Sequence, residues 1–157
     1  MQNLDCLNQV AEFHRTFKHP ILDTPQIPSK QRSDLRVLLI AEELKELQEA
    51  IDNNDIVEVA DALADIQYVL AGAILEFGLG EKFRELFDEV QRSNMSKACE
   101  SVEEAEATIN YYASEKGTEA YYKEIEGKFL VYRKGDDKTL KNINYSPADL
   151  KSIINPS

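Results

Sequence analysis

The stretch that decides the fold is EELKELQEAIDNNDIVEVADALAD, residues 42–65, in which two helical segments are separated by a short polar break. Across residues 37–51 apolar side chains recur at steps of three and four, the pattern of an amphipathic helix. The break at 52–55 has turn chemistry, and Asp55 with Glu58 has the spacing of a helix N-cap and capping box. The stretch therefore predicts two antiparallel helices joined by a tight turn.

The acidic side chains of the first helix are placed by its periodicity. Glu43 and Glu46 fall beside the apolar seam. Successive residues are about 100° apart around the helix axis, which places Glu42 and Glu49 further towards water. Only Glu43 and Glu46 are thus predicted to reach inward, and Glu49 is expected to contribute little to any site.

The second helix carries a row of carboxylates on an otherwise apolar segment. Glu58, Asp61 and Asp65 occur at i, i+3 and i+7, and the apolar residues that follow predict a central, buried helix. Buried carboxylates are costly unless they are paired or bind a metal, and no Lys or Arg lies between residues 53 and 81. A charge run is usually a solvated face, but this one lies on an apolar helix. Oxygen-only ligands favour Mg²⁺, or Mn²⁺, over zinc, so the pattern indicates a divalent cation site.

Beyond residue 99 the composition changes. The sequence predicts a helix over 101–116, followed by two β-prone runs at 120–125 and 128–133. Glu126-Gly127 separates these runs and is typical of a tight hairpin turn. Because a lone two-stranded hairpin is marginally stable, it is expected to pack on the helices or on another subunit.

The two acidic motifs resemble a known family. The first motif is Glu42-Glu43-x-x-Glu46, and the second is Glu58-x-x-Asp61. Their order and spacing resemble the EExxE and ExxD signature of the all-α nucleoside triphosphate pyrophosphohydrolases. This superfamily includes MazG, the dimeric dUTPases and phosphoribosyl-ATP pyrophosphohydrolase.

Other stretches carry the same resemblance. QRSNMSK at residues 91–97 is similar to the N-x-x-K motif of a MazG-like subgroup, and a Lys-x-x-Lys and Tyr-x-Pro pattern returns around 136–153. Together with the acidic motifs, the likeness covers roughly residues 10–98. It implies a mainly α fold, with a four-helix MazG-like bundle over 1–98. A C-terminal extension over 99–157 is expected to add a helix and a β-hairpin packed on this core.

The resemblance also implies the metal ligands and leaves one choice open. The implied ligands are Glu43, Glu46, Glu58, Asp61 and Asp65. If the second motif is anchored on E-x-x-D, its ligands are Glu58 and Asp61. If it is anchored on the aspartate before a branched apolar residue and an aromatic, the ligand is Asp65 and the position three before it is Ala62. The first placement is favoured, with Asp65 as an accessory ligand.

The implied activity is Mg²⁺-dependent hydrolysis of a nucleoside triphosphate between the α and β phosphates, which gives the monophosphate and pyrophosphate. Metal ions on these carboxylates are expected to neutralise charge on the leaving pyrophosphate and to acidify the attacking water. Glu46 or Glu42, which the sequence does not rank, is the expected proton acceptor. The alternative is a non-catalytic acidic helical module that keeps the same bundle for oligomerisation or regulation.

Substrate contacts are implied for the basic motif, because an Asn-x-x-Lys pair contacts the nucleotide in these enzymes. The implied substrate-binding residues are Arg92, Asn94, Lys97, Lys138, Lys141 and Tyr145. The cations are expected to offset the triphosphate charge, and the Asn94 amide to bond phosphate, sugar or base. His14 and His19 lie outside the acidic motifs and are predicted to have surface or helix-end roles.

Charge and hydropathy limit the partners. The formal net charge is −11, which argues against nucleic acid or an anionic membrane, because both reward basic surfaces. The sequence shows neither a signal-like leader nor an apolar run of about 18 residues, so a cytoplasmic protein is expected. The apolar central helix has more hydrophobic surface than three short neighbours cover, and the resemblance implies a pocket near a subunit interface. A homodimer or a dimer of dimers is therefore expected.

Overall fold

The chain folds into helices with one small hairpin. A computed structural model describes residues 4–155. Its elements in chain order are α1 (Cys6–Phe17), α2 (Lys30–Asp52), α3 (Ile56–Glu76), a short 3-10 helix (Gly80–Lys82), α4 (Phe83–Met95), α5 (Val102–Lys116), β1 (Ala120–Ile125), β2 (Lys128–Arg133) and α6 (Leu150–Ile154). The prediction of a mainly α fold with a C-terminal helix and β-hairpin is confirmed.

The described residues form two compact units, one that ends at Phe83 and one that begins at Arg84. The first unit contains α1, α2, α3 and the 3-10 helix. All of α4 except its first residue, Phe83, belongs to the second unit. The second unit also contains α5, the hairpin and α6. The division into a core over 1–98 and an extension over 99–157 stays a prediction.

In the first unit α2 and α3 form an antiparallel helical hairpin. Asp55 caps α3, because its carboxylate accepts hydrogen bonds from the backbone N–H groups of Val57 at 3.0 Å and Glu58 at 3.2 Å. The N-cap predicted at Asp55 is therefore confirmed. The tight turn brings the last turns of α2 beside the first turns of α3, where the acidic rows of both helices lie.

The helix α1 packs against α3 and builds the core of this unit. Val10 and Ala11 of α1 are buried against Ala71 and Leu75 of α3. Because the distance between two helix axes depends on the side chains at their contact, alanines on both faces permit close packing. The core of this unit therefore lies at the α1 side of the helical hairpin.

A buried ionic cluster joins the beginning of α2 to the end of α3. The fully buried carboxylate of Glu76 accepts hydrogen bonds from Arg32 Nε at 2.9 Å and from the guanidinium of Arg36. Burial by itself raises the pKa of Glu76, but the hydrogen bonds from Arg32 and Arg36 outweigh it and hold the pKa below its usual value. Glu76 thus stays ionised and links the two helices.

His14 belongs to the same cluster; it lies in the last turn of α1, as one of the two predicted roles has it, but the predicted surface role is wrong. Its ring is 2% exposed, with Nδ1 2.8 Å from the Pro20 carbonyl oxygen and Nε2 3.4 Å from a guanidinium nitrogen of Arg36. A carbonyl only accepts, so Nδ1 carries the proton and Nε2 is the acceptor. Burial lowers the pKa of His14, in agreement with a neutral ring. The sequence does not show that the chain turns at Pro20 and covers this side chain.

The apolar seams predicted to face inward are largely exposed in the single chain. Val37 and Leu44 of α2 are 68% and 59% exposed, and Ile56 and Leu63 of α3 are 76% and 51% exposed. The stretch of α3 from Ile66 onward, for which a central, buried position is predicted, is buried at Ala71, Ile74 and Leu75, whereas the exposed Ile56 and Leu63 lie before it. Periodicity identifies an apolar face, but it does not say which chain covers that face.

In the second unit α5 packs on the β-hairpin. The strands β1 and β2 pair antiparallel with Ile125 opposite Lys128. Glu126 and Gly127 between them have φ values of 51° and 74°, the positive values that a type I′ turn requires. The predicted hairpin is confirmed. Its buried core is formed by Cys99, Ala105, Val131 and Leu140.

Candidate functional site

An acidic cavity of about 300 Å³ lies between α2 and α3, beside the turn that joins them. Five carboxylates line it: Glu46, Glu49, Asp55, Glu58 and Asp61. Among the described residues of its lining there is no Lys or Arg. The helical hairpin thus brings together three of the predicted ligands, one from α2 and two from α3.

Glu49 lines this cavity although its position on the helix predicted little contribution to a site. The turn at 52–55 folds back beside the last turns of α2, so a side chain that faces away from the helical seam still faces this cavity. Glu49 Oε1 also lies 3.1 Å from Lys45 Nζ, in an exposed ion pair on the same helix. Glu49 is exposed, as its position on the helix predicts, and its small contribution to the site stays a prediction.

Glu43 lies on α2, one turn before Glu46, and one of its carboxylate oxygens is buried. Glu43 Oε2 has no hydrogen-bond donor in the described part of the chain. Burial raises the pKa of Glu43. Neighbouring negative charges raise it further, in decreasing order those of Glu46, Asp65, Glu42 and Asp61. A buried carboxylate oxygen without a partner is costly, so this position favours a cation.

The two aspartates between which the sequence left a choice both act on Glu43. Asp61 lines the acidic cavity, whereas Asp65 has the larger effect on the pKa of Glu43. Ala62, which the second placement puts three residues before the ligand, is buried and has no side-chain oxygen. Which aspartate is the main ligand stays a prediction.

The residues present fit a hard divalent cation. The charged groups of the acidic cavity are carboxylates, the ligand class that Mg²⁺ and Mn²⁺ prefer. Glu43 Oε2, without a hydrogen-bond partner among residues 4–155, adds a buried oxygen that is able to bind a metal ion. Within those residues, no three His, Cys, Asp or Glu side chains already converge on one point. The ligand set stays a prediction.

Asn94 and Lys97, in the second unit, are hydrogen-bonded to each other. Lys97 Nζ donates to Asn94 Oδ1 at 2.7 Å across one turn at the end of α4. An ammonium group has three donors, and an amide group has two donors besides its oxygen. The pair therefore has the capacity to bind a phosphate or sugar oxygen while its members remain joined.

Arg92 makes several structural contacts. Its Nε and one terminal nitrogen donate to the two carboxylate oxygens of Glu89 at 2.7 and 2.8 Å. The guanidinium also donates to Ser146 Oγ at 2.9 Å and to the Pro147 carbonyl at 3.1 Å. These bonds join α4 to the segment before α6. Contact of Arg92 with substrate stays a prediction.

The remaining predicted substrate residues lie late in the second unit. Lys141 Nζ is 4.4 Å from the ring centre of Tyr145, a cation–π contact. Both residues line a cavity of about 360 Å³ together with Tyr111 and Tyr112. Lys138 is exposed. The sites predicted at Lys138, Lys141 and Tyr145 stay predictions.

The sequence analysis missed the ionic cluster of Arg32, Arg36 and Glu76. Two signals were available, since Arg32 and Arg36 stand four residues apart on α2 and Glu76 interrupts an apolar run. The bonds, however, join residues 44 and 40 positions apart. Periodicity within one helix does not reveal such a pairing.

Fold and site together define a mainly α protein with a carboxylate-lined site between two antiparallel helices. A family model described as phosphoribosyl-ATP pyrophosphohydrolase matches residues 10–94, more than half of the chain. The chain therefore belongs to the phosphoribosyl-ATP pyrophosphohydrolase family, within the all-α NTP pyrophosphohydrolase superfamily. The family resemblance of the acidic motifs is thus confirmed, and the fold is of the nucleotide pyrophosphohydrolase kind.

The chain is also similar to an uncharacterized protein of Acanthamoeba polyphaga mimivirus. The two are 34% identical over 92 residues, which cover 56% of this chain and 37% of the viral protein. The chain thus matches little more than a third of the length of that relative. The viral protein's printed name assigns it no function, so this likeness supports the kinship of the domain alone.

Length and apolar composition mark one bent helix pair, and no single described helix, as a candidate membrane span. No single helix in residues 4–155 has both the length and the apolar composition of a membrane span. The bent pair Ile56–Glu76 with Gly80–Met95 meets those two criteria only when its helices are taken together.

Proposed function

We propose that the protein is a Mg²⁺-dependent nucleoside triphosphate pyrophosphohydrolase that cleaves the α–β phosphoanhydride bond. The observation that carries the proposal is Glu43 Oε2, a buried carboxylate oxygen without a partner in the described chain, next to the carboxylates of α3. An ion held there satisfies this oxygen and removes the like-charge repulsion that raises the pKa of Glu43. Family membership supports the reaction class.

The roles of the acidic residues follow from their places on the two helices. Glu43, Glu46, Glu58 and Asp61 are the proposed metal ligands, with Asp65 as an accessory ligand. A bound Mg²⁺ supplies positive charge against the phosphate oxygens. Glu46 lines the acidic cavity and Glu42 does not, so Glu46 is the preferred acceptor of the proton of the attacking water.

Counter-charges for the substrate are proposed on the family resemblance, at the residues of the N-x-x-K motif and at the lysines that follow it. Asn94 and Lys97 form a joined pair with capacity for a phosphate or sugar oxygen. Lys138 and Lys141 add positive charge to a chain whose net charge is −11. A few placed cations are sufficient for a triphosphate, because charge-assisted hydrogen bonds act locally.

Pyrophosphate release tests this proposal. The full chain is incubated with canonical and deoxy triphosphates in Mg²⁺, Mn²⁺ or EDTA, and the products are separated. Monophosphate with pyrophosphate is expected in Mg²⁺ or Mn²⁺ and not in EDTA. Glu43→Gln is expected to lower kcat/KM at least about 100-fold, whereas exposed Glu12→Gln on α1 is expected to leave it unchanged. If the products are instead a nucleoside diphosphate and inorganic phosphate, the cleaved bond is β–γ, which contradicts the proposal.

A binding measurement separates an enzyme from the non-catalytic module. Thermal melting is recorded with and without Mg²⁺ plus a nonhydrolysable triphosphate. A genuine site is expected to stabilise the chain by about 2.7 kcal/mol when the ligand is at about 100 times its Kd. No shift in the melting temperature favours the non-catalytic module.

We also propose that the protein is a homodimer or a dimer of dimers. Apolar residues repeat every seven positions on both helices of the hairpin and are exposed in the single chain. On α2 these are Val37, Leu44 and Ile51, and on α3 they are Ile56, Leu63 and Leu70. Apolar stripes at this spacing on paired helices are typical of the seam of a helical bundle. A second copy of the same hairpin is the proposed cover.

A further inference from the structure

The β-hairpin of the second unit has two edges, and the chain itself pairs with only one of them. Along the outer edge of β2, Phe129 exchanges backbone hydrogen bonds with Cys99, at 2.9 Å in each direction. Further along the same edge, the backbone N–H of Leu140 donates to the carbonyl oxygen of Val131 at 2.9 Å. The outer edge of β2 is therefore occupied by segments of its own chain.

The outer edge of β1 is open. In an antiparallel pair, opposite residues that are not hydrogen-bonded to each other direct their N–H and C=O groups away from the partner strand. Phe129 and Val131 bond outward, so Glu124 and Tyr122, which lie opposite them, also direct their backbone groups outward. Ala120 follows at the same spacing of two. Within residues 4–155, these three residues of β1 have no backbone partner on that side.

This open edge lacks the usual obstacles to pairing. The strand β1 has neither Pro nor Gly, and its residues pair one to one with β2 without a bulge. Its charged side chains are one Lys and one Glu, so the strand is neutral although the chain has a net charge of −11. A strand edge with unpaired backbone groups is a template for a further strand, and a lone two-stranded hairpin is marginally stable. The edge is thus suited to accept another strand.

The directions of the backbone groups limit how a second copy of β1 pairs with this edge. Residues that bond outward must lie opposite residues that also bond outward. In an antiparallel pair centred on Tyr122, this residue lies opposite Tyr122 of the second copy, and Ala120 lies opposite Glu124. Every outward backbone group of both strands then has a partner. The edge is therefore complementary to itself.

Side-chain charge selects this register. Centring the pair on Lys123 or on Glu124 places that residue opposite its own copy, and like charges directly opposite each other destabilise a strand pair. Centring it on Tyr121 leaves Glu124 beyond the end of the opposite β1. The register centred on Tyr122 places Lys123 opposite Tyr121 of the second copy. In its own chain the Lys123 ammonium already lies 5.4 Å from the ring centre of Tyr121, so this pair favours a cation–π contact.

We propose that the outer edge of β1 docks on β1 of a second copy of this chain, which joins two hairpins into one four-stranded antiparallel sheet. This interface is isologous, because the same residues contribute from both copies. The apolar stripes of α2 and α3 lie on other residues, so a chain that uses both interfaces assembles as a dimer of dimers. The inference is independent of the proposed reaction, because no residue of β1 is assigned to the candidate site.

Light scattering of variants at one backbone position tests the interface. Glu124→Pro removes an outward N–H, and proline is tolerated on a strand edge at such a position. It is expected to halve the mass, from four chains in the wild type to two. Glu124→Ala removes the same side chain but keeps the N–H, so it is the matched control and is expected to retain four chains. Circular dichroism checks that both variants are folded.

Charge substitutions test the register and do not depend on the proline variant being folded. Tyr121→Lys places a lysine opposite Lys123 of the second copy and is expected to halve the mass. Adding Lys123→Glu to the same chain places opposite charges at these positions and is expected to restore four chains. Failure of the double variant to recover the mass overturns the register.

Disulfide cross-linking of the full chain reports the pairing directly. Chains with Tyr121→Cys are mixed with chains with Lys123→Cys under mild oxidation, because these two positions lie directly opposite each other in the proposed sheet. A covalent dimer is expected from the mixture, since opposite residues of paired strands are close enough for a disulfide. Neither variant alone is expected to give it, and the wild type with Cys6 and Cys99 is the background control.

The outcomes separate this interface from the helical stripes. An equal mass for the wild type and Glu124→Pro, without a cross-link in the mixture, overturns the hairpin interface and leaves the stripes standing. A mass that falls equally in Glu124→Pro and Glu124→Ala overturns the role of backbone pairing. A monomeric wild type at micromolar concentration overturns both interfaces, whatever its rate of triphosphate hydrolysis.

Discussion

At the scale of single residues, buried charges divide into two kinds. Glu76 is fully buried and accepts hydrogen bonds from two arginines, so its charge is satisfied within the chain. Glu43 has a buried oxygen without a donor in the described residues and is surrounded by other carboxylates. The first arrangement stabilises the fold, whereas the second one reduces stability until a cation binds.

Neutralising Glu43 is therefore expected to stabilise the metal-free protein. The raised pKa of Glu43 means that its ionised form is disfavoured in the folded chain, so stability falls as the pH rises through this pKa. Glu43→Gln is expected to melt at the same temperature as the wild type or higher, in EDTA at neutral pH. Glu12→Gln serves as the control. A clear loss of stability in Glu43→Gln contradicts this account of the site.

Neutralising Glu76 is expected to have the opposite effect. Glu76→Gln leaves Arg36 buried without its anionic partner, which is expected to cost about 3–5 kcal/mol of unfolding free energy. Replacing both partners, in Arg36→Met with Glu76→Gln, is expected to recover part of this loss, because the buried Arg36 charge is removed and only the more exposed Arg32 is left without its carboxylate. Urea denaturation measures both effects. A double variant no more stable than Glu76→Gln shows that the pairing is not the cause.

At the scale of elements, helix ends and turns depend on positions where only certain residues fit. After α3 the chain turns at Gly78, which has a φ of +68°. An added Cβ at Gly78 would lie 1.9 Å from the Thr24 carbonyl oxygen, so the connection between α1 and α2 passes directly over this glycine. The end of α3 and that connection are thus fixed by the same residue.

Substitutions at two glycines separate the cost of a positive φ from the cost of a steric clash. Gly117 follows α5 with a similar φ of +58°, and an added Cβ there meets nothing within 4 Å. Gly117→Ala is expected to cost about 1–2 kcal/mol, the price of the left-handed conformation alone. Gly78→Ala is expected to cost more, because the backbone at Thr24 must also move. Equal losses in urea denaturation contradict the close approach at Gly78.

The junction between α4 and the segment before α6 predicts an acid-sensitive contact. The Arg92 side chain and the backbone N–H of Asp149 donate to Glu89 and lower the pKa of Glu89 to about 2. A carboxylate with a depressed pKa stabilises the fold above its usual value of 4.5, and this contribution is lost as the pH falls towards about 2. Glu89→Gln is expected to flatten the dependence of melting temperature on pH in that range. An unchanged profile contradicts the contact.

At the scale of the whole molecule, the exposed apolar stripes of α2 and α3 are the main unexplained surface. Large exposed apolar patches mark interaction sites. The same two helices hold the acidic rows, so an assembly through their stripes also fixes the walls of the acidic cavity. The proposed oligomer interface and the candidate site would therefore share the helical hairpin.

Light scattering tests the predicted assembly. The wild type is expected to have two or four times the chain mass of 17.8 kDa at micromolar concentration. Leu44→Glu and Leu63→Glu are expected to lower this mass, because a charge in each stripe opposes burial. Ile27→Glu, at a position that is 79% exposed outside both helices, is expected to leave the mass unchanged. A monomeric wild type with full turnover contradicts the oligomer.

By itself the sequence determined α2, α3 and α5, the turn at Asp55, the hairpin at Glu126-Gly127 and the acidic rows, but not the short α6. These features depend on interactions between residues a few positions apart, so their signals lie in local spacing. Glu46, Glu58 and Asp61 meet at one cavity because a tight turn between two periodic helices leaves little freedom. Family motifs added the reaction class, which local spacing does not contain.

Only the tertiary structure decided which apolar faces are covered and which charges are buried. His14, Arg36 and Glu76 come from three helices, and their bonds span 22 and 40 positions. Val37 and Leu63 lie on the predicted apolar seams but are exposed in the single chain. A periodic pattern defines faces within one helix, whereas burial depends on the neighbours that the whole chain, or a second copy of it, brings to each face.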